Sequence, residues 1–218
     1  MLVQTRNSIF LALCFSLFLS ASFAQKSTIC YDLEGKEFPE ESLRDMELTT
    51  ESMAGVKETE RTIEKRLFPR KIIGQLTGDD NTRMQRYLHG YILEGLADGE
   101  MVIIHYYPGP DECNSTGLAT RRSIGNEYIP YRNKVRKKEG VYLLHIFEQE
   151  MDAGLERWDL GRRWRSDQEG TLKNLFFEYR FDCFTTLVVD SDSHYVMYNG
   201  SIEDTDAFDG IATLKARE

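Results

Sequence analysis

The chain has 218 residues, 27 of them basic and 36 acidic, for a formal net charge of −9. That balance argues against nucleic acid or an anionic membrane surface as a partner. The local basic runs, Arg132 to Lys138 and Arg162 to Arg165, read as solvated surface.

The first 24 residues carry Arg6, an apolar core from Ile9 to Leu19, and Ser22-Phe23-Ala24 at the positions a signal peptidase reads. They predict a signal peptide over 1–24, cleaved before Gln25, and hence a periplasmic or secreted protein with no membrane attachment after cleavage. The apolar core falls short of the ~20 residues a spanning helix needs. Cys14 lies inside that core and leaves with it. The 194 residues that remain of the 218 suffice for one domain with a real core.

Cys30, Cys113 and Cys183 are then the cysteines left. In an oxidising compartment one disulfide plus one free thiol is the natural arithmetic, and the sequence leaves all three pairings open. No CxxC or HExxH is present, so neither structural zinc nor a zincin is indicated, and no cofactor is expected.

Residues 25–78 read as an N-terminal extension, partly extended or helical. Gln25 to Lys36 holds Cys30 and a turn; Glu37 to Glu64 is rich in Glu, Lys, Thr and Ser and predicts an exposed arm or a poorly packed helix. Ile72, Ile73 and Leu76 between breakers predict a short strand. Asp79-Asp80-Asn81 opens a helix whose apolar face is Met84, Tyr87, Leu88, Tyr91, Ile92 and Leu96, stopped by Gly99. His89 lies beside that face as a partly exposed helix residue.

Met101 to Tyr107 is apolar at successive positions, which fits a strand covered on both sides. Pro108 and Pro110 end it, and Cys113 follows where a helix is expected to start. Unpaired N–H groups and the dipole at a helix N-terminus favour thiolate over thiol, which makes Cys113 the first candidate for chemistry. Gly125 and Pro130 predict one helix over about 115–124 and a second short one after a turn. Val141 to Phe147 is a second apolar strand. His105 and His145 fall on these two strands, and hydrogen-bonded buried histidines are expected there rather than a metal pair. Trp158 and Trp164 are expected to pack on the sheet with Arg162, Arg163 and Arg165 outward.

Thr171 to Arg180 places Leu172, Leu175, Phe176 and Tyr179 on one helical stripe. Thr185 to Val189 and Tyr195 to Tyr198, joined by Asp190-Ser-Asp-Ser-His194, predict an antiparallel hairpin. Ala207, Phe208, Ile211 and Leu214 then form the inner face of a closing helix. Asn114-Ser-Thr116 and Asn199-Gly-Ser201 fit the glycosylation acceptor pattern, but no modification is expected.

From Asp79 on, the order helix, strand, helix, strand, helix, hairpin, helix resembles a thioredoxin-like domain over 79–218. Val102-Ile-Ile-His-Tyr-Tyr107 with Cys113 resembles the first strand and active-site loop, Val141 to Phe147 the next parallel strand, and Thr185 to Gly200 the final hairpin. The resemblance implies an α/β three-layer sandwich, with a central mixed sheet ending in an antiparallel hairpin. It also implies a thiol-based redox or disulfide-related role, with Cys113 as nucleophile and Cys183 as possible resolving partner. A protein, a small thiol or a peroxide would be the partner. A Cys113–Cys183 bridge follows from the same resemblance, because the loop before the hairpin lies across from the active-site helix.

The sequence departs from the family at two places. Thr116 stands where a resolving cysteine would complete CxxC, and Phe184 stands where the family has a cis-proline. A non-proline cis bond costs ~3 kcal/mol, so a trans peptide is expected at Phe184. Peroxiredoxins match less well, with Pro110 three residues before the cysteine. Pro110-Asp-Glu-Cys113 resembles the loop of thioredoxin-like copper chaperones, but Gly109 and Cys183 occupy the other ligand positions. The alternatives are therefore a non-catalytic thioredoxin-fold binding module with structural cysteines and, third, a copper-handling protein.

Overall fold

The computed structural model describes residues 26–109, 121–148, 163–201 and 204–217. The expected signal peptide, the helix start at Cys113, the Asn114 acceptor site, Trp158 and Arg162 lie outside the described residues.

Two mixed sheets organise the described residues. The first contains β1 (Ser27–Tyr31), β2 (Glu37–Phe38), β3 (Ser52–Glu58) and β4 (Thr62–Pro69), in the order β2-β1-β4-β3, with helix α1 (Leu43–Thr50) between β2 and β3. The expected arm or loose helix over 37–64 thus gives β2, β3 and the start of β4 to a sheet, with α1 as a helix between β2 and β3. Polar strands had hidden this sheet: Glu64, Lys65 and Arg66 leave Leu67 the single buried residue of β4. Its hairpin turn carries Glu60-Arg61 rather than a Gly or Asn signal. Backbone pairing holds the sheet, since Lys57 lies opposite Glu64 and β1 runs parallel to β4 with Cys30 opposite Lys65.

The second sheet contains β5 (Lys71–Gln75), β6 (Met101–Tyr107), β7 (Val141–Phe147), the short β8 (Arg165–Ser166), β9 (Phe184–Asp190) and β10 (His194–Ser201). Its order is β5-β10-β9-β6-β7-β8. β6, β7 and β8 are parallel; β9 runs antiparallel to β6, β10 to β9, and β5 to β10. The expected hairpin is present, with Tyr195 opposite Val189 and Tyr198 opposite Thr186.

Side chains alternate across a strand, so β6 feeds both faces. Val102, Ile104 and Tyr106 pack with Met84, Tyr87 and Leu88 of α2 (Gly78–His89) and Leu172 of α4 (Thr171–Phe176). Met101 and Ile103 pack on the other side, with Tyr128, Tyr131 and Val135 of α3 (Arg121–Arg136) and Ala207, Ile211 and Leu214 of α5 (Asp204–Lys215). The second sheet is therefore a layer between helices.

Three helix boundaries differ from expectation. α2 ends at His89, and successive turns from Gly90 to Gly95 keep Ile92 buried and Tyr91 and Leu96 against the same cluster. α3 is continuous through Pro130, because Pro130 and Asn126, whose carbonyl loses a helical donor, both face solvent. α4 stops at Phe176, after which Phe177 and Phe181 are buried outside a helix.

The sheets are stitched together by main chain. Arg180, between α4 and β9, pairs with Val56 of β3 (N–O 2.7 and 2.8 Å). Asn199 of β10 donates its backbone N–H to Arg70 O (2.9 Å) and its side-chain amide to Pro69 O (3.0 Å).

Candidate functional site

The chain leaves the carboxyl end of β6 toward α3 on one face and leaves β7 toward α4 on the opposite face. In sheets of this kind ligands usually bind outside the carboxyl ends of neighbouring parallel strands. Pro108 and Gly109 lie at this end, Gly109 with φ 130°.

Because Tyr106 is opposite Thr185, antiparallel pairing puts Cys183 just beyond the carboxyl end of β6. Cys183 is disulfide-bonded, whereas Cys30 is a free, buried thiol in the first sheet. The other cysteines of the sequence, Cys14 and Cys113, lie outside the described residues, so the partner of Cys183 does too. Cys30 being free removes the two pairings that would have used it. Burial, then the Glu40 carboxylate, pushes the Cys30 thiol up, which disfavours the thiolate.

Cys183 is only 7 % exposed. Its φ of 68° lies in the left-handed region, an unfavourable backbone for a residue with a Cβ. The peptide bond to Phe184 is trans. An aromatic wall rises beside it. Phe184 stacks with Trp164 (6.0 Å, 14°), and Tyr107 meets Phe184 at 5.5 Å and Trp164 at 5.8 Å. His145, itself buried, stands edge-on to Trp164 at 5.2 Å and to Tyr128 at 5.3 Å.

His105 and His145 are opposite each other on β6 and β7, their rings 5.4 Å apart. His105 is hydrogen-bonded at both nitrogens, Nδ1 with Thr186 Oγ1 (3.0 Å) and Nε2 with Tyr131 OH (2.7 Å). This is the sheet-bound histidine expected from the sequence, now with its partners. His89 is exposed and Arg163 and Arg165 face outward, as expected. Among the described residues no group of three His, Cys, Asp or Glu side chains is arranged to hold a metal. A sulfur tied into a disulfide also offers no thiolate to a soft ion such as Cu(I).

A polar cluster lies on the α4 side of the sheet. The buried Asp167 carboxylate accepts the backbone N–H groups of Leu172 (3.1 Å) and Lys173 (2.9 Å) and so caps α4. Burial raises its pKa against these two bonds, which pull it down. Lys173 pairs with Glu148 at the end of β7. The hydroxyl of Tyr106 is buried with no hydrogen-bond partner among the described residues, and burial next to Asp167 and Glu148 raises its pKa.

Of the two site residues expected from the sequence, Cys183 stands at the end of β6 and Cys113 lies outside the described residues, while the two histidines were expected only as hydrogen-bonded sheet residues. Sequence reasoning missed Tyr131 and Thr186, which clamp His105, and the Phe184–Trp164 stack. Their positions depend on cross-strand register and on helix facing, for which local pattern carries no signal. The chain matches no protein-family model, and no curated protein matches it in sequence. Among the described residues no helix is long and apolar enough to cross a membrane.

Proposed function

We propose that this chain is an exported thioredoxin-like protein that handles disulfides, with Cys113 as the attacking sulfur and Cys183 as its resolving partner. The observation that carries this is a disulfide-bonded Cys183 at the carboxyl end of β6 while Cys30 is free. If residues 1–24 are removed as a signal peptide, Cys113 is the partner that remains. The strand order β7-β6-β9-β10, with β6 and β7 parallel and the last two antiparallel, supports the thioredoxin-like assignment. So do crossover helices on opposite faces and a closing helix α5.

The chemistry is exchange between two sulfur pairs. In the oxidised protein a substrate thiolate attacks the Cys113 sulfur and Cys183 leaves as thiolate. The second substrate thiolate then attacks the mixed disulfide at the substrate sulfur and expels Cys113. The substrate dithiol has lost two electrons to the protein pair, and its two protons end on the cysteines or in solvent. Run in reverse, the reduced pair reduces a substrate disulfide. A Cys183 that is 7 % exposed suits the inner, resolving position, because attack from outside is directed to the other sulfur.

The same burial favours a second function, a binding module in which the bridge is structural. Thiol counting on the folded protein separates the two. For a redox pair, mild dithiothreitol frees Cys113 and Cys183. Cys113 then alkylates far faster than Cys30, and Cys113→Ser abolishes turnover of a model disulfide peptide. A bridge that survives strong reductant until the protein is denatured sinks the redox role and leaves the binding module.

A further inference from the structure

A cleft of about 480 Å³ lies between the two sheets, within the ~300–1,000 Å³ of small-molecule sites. Its lining includes Arg66 and Phe68 of β4, Phe176 of α4, Tyr179 and Phe181 of the segment after it, and Tyr195 of β10. Neither Cys183 nor the Phe184–Trp164 stack belongs to it.

Close backbone approach builds this wall. Phe68 packs against Tyr179 at 4.9 Å and Phe181 at 5.4 Å, and the Arg180–Val56 main-chain pair holds that segment on β3. A Cβ on Gly55 would come within 2.8 Å of Tyr179 Cβ, so only glycine lets that ring lie on the strand. Gly74, opposite Tyr195 on β5, does the same, since a Cβ there would meet the Tyr195 hydroxyl at 2.5 Å. Phe176 stands edge-on to Tyr195 at 5.1 Å.

The charges around the cleft are matched except for one. Glu178 is paired with Lys57 (2.5 Å), and Glu64 accepts the Tyr179 hydroxyl. Arg66, half-buried, lies over the Phe68 ring at 5.9 Å and donates to the Tyr179 hydroxyl, but forms no ion pair with a carboxylate of the described residues. Edge-on aromatic rings favour a flat π-system, and a guanidinium fork without a carboxylate favours a planar anion. We infer that this cleft binds a small carboxylic acid with a flat aromatic body, its ring against Phe176 and Tyr195 and its carboxylate on Arg66.

Indole-3-acetate and its neutral amide, indole-3-acetamide, test this by amide NMR titration of the whole protein. The acid shifts the resonances of Gly74, Phe176 and Tyr195 and binds about tenfold more tightly than the amide, the worth of one charge-assisted contact. Arg66→Met abolishes that preference. Cys113→Ser leaves it intact, so failure of the redox function does not touch this site. Equal binding of acid and amide to the wild-type protein overturns the inference, as does the absence of cleft shifts at the solubility limit of the acid. The wild-type comparison decides the matter even where Arg66→Met does not fold.

Discussion

Ile104 and Leu67 are both fully buried strand residues, yet they sit in different kinds of sheet. Ile104 belongs to a strand whose residues feed two apolar clusters, with helices on both sides. Leu67 is the single buried residue of β4, on a strand otherwise half-exposed and flanked by ion pairs such as Lys65–Glu40 (2.6 Å). The second sheet excludes water by layering. The first is held by main-chain pairing and by its seam with Tyr179 and Phe181. Cooperative stability should therefore reside in the second sheet, with the first able to open more locally.

The largest effect that tests this contrast is a pair of truncations. Ile104→Ala should cost about 3–4 kcal/mol and lower protection of every strand of the second sheet, whereas Leu67→Ala should cost about 2 kcal/mol, because a half-exposed sheet relaxes more readily. Cys30 provides the local readout. In Leu67→Ala its thiol should react faster while amide exchange in β6 and β9 is unchanged, and simultaneous loosening of both would remove the distinction. Next comes the seam. Gly55→Ala forces a Cβ against Tyr179 and should destabilise by about 1–3 kcal/mol, as overpacked sites do. An unchanged denaturation midpoint would mean that the sheets are not coupled there.

The smallest effect is a pH dependence confined to the second sheet. Burial raises the Asp167 pKa above its ordinary value of 3.8, so the folded state binds this proton more tightly than the unfolded one. Its stabilising contribution is complete below 3.8 and declines as pH rises through the folded value. Asp167→Asn should flatten that decline, measured as urea midpoints across the acid range. Parallel curves for the two proteins would exclude Asp167 as its source.

The same contrast explains what could be read from the sequence. Met101 to Tyr107, Val141 to Phe147 and the hairpin were legible because strands buried on both faces write continuous apolar runs. β3 and β4 were not, since Lys57, Glu64, Lys65 and Arg66 pair across strands without apolar alternation. Pro130 suggested a break, but a proline on the exposed side of α3 leaves only a solvated carbonyl unpaired. At the site, the thioredoxin-like resemblance pointed to Cys183, and strand position marked His105 as a hydrogen-bonded sheet residue. The stack of Phe184 on Trp164 and the hold of Tyr131 on His105 join segments distant in sequence, so no local motif announces them.

The carboxamide of Asn199 has a practical consequence. It is fully buried, and its hydrogen bond to Pro69 O helps fasten the two sheets to each other. A eukaryotic secretory host scans nascent chains for Asn-Gly-Ser before they fold, and a sugar placed on Asn199 would occupy the space that Pro69 needs. Material from such a host would divide into folded chains that escaped the transferase and retained chains that did not. A bacterial host yields one population.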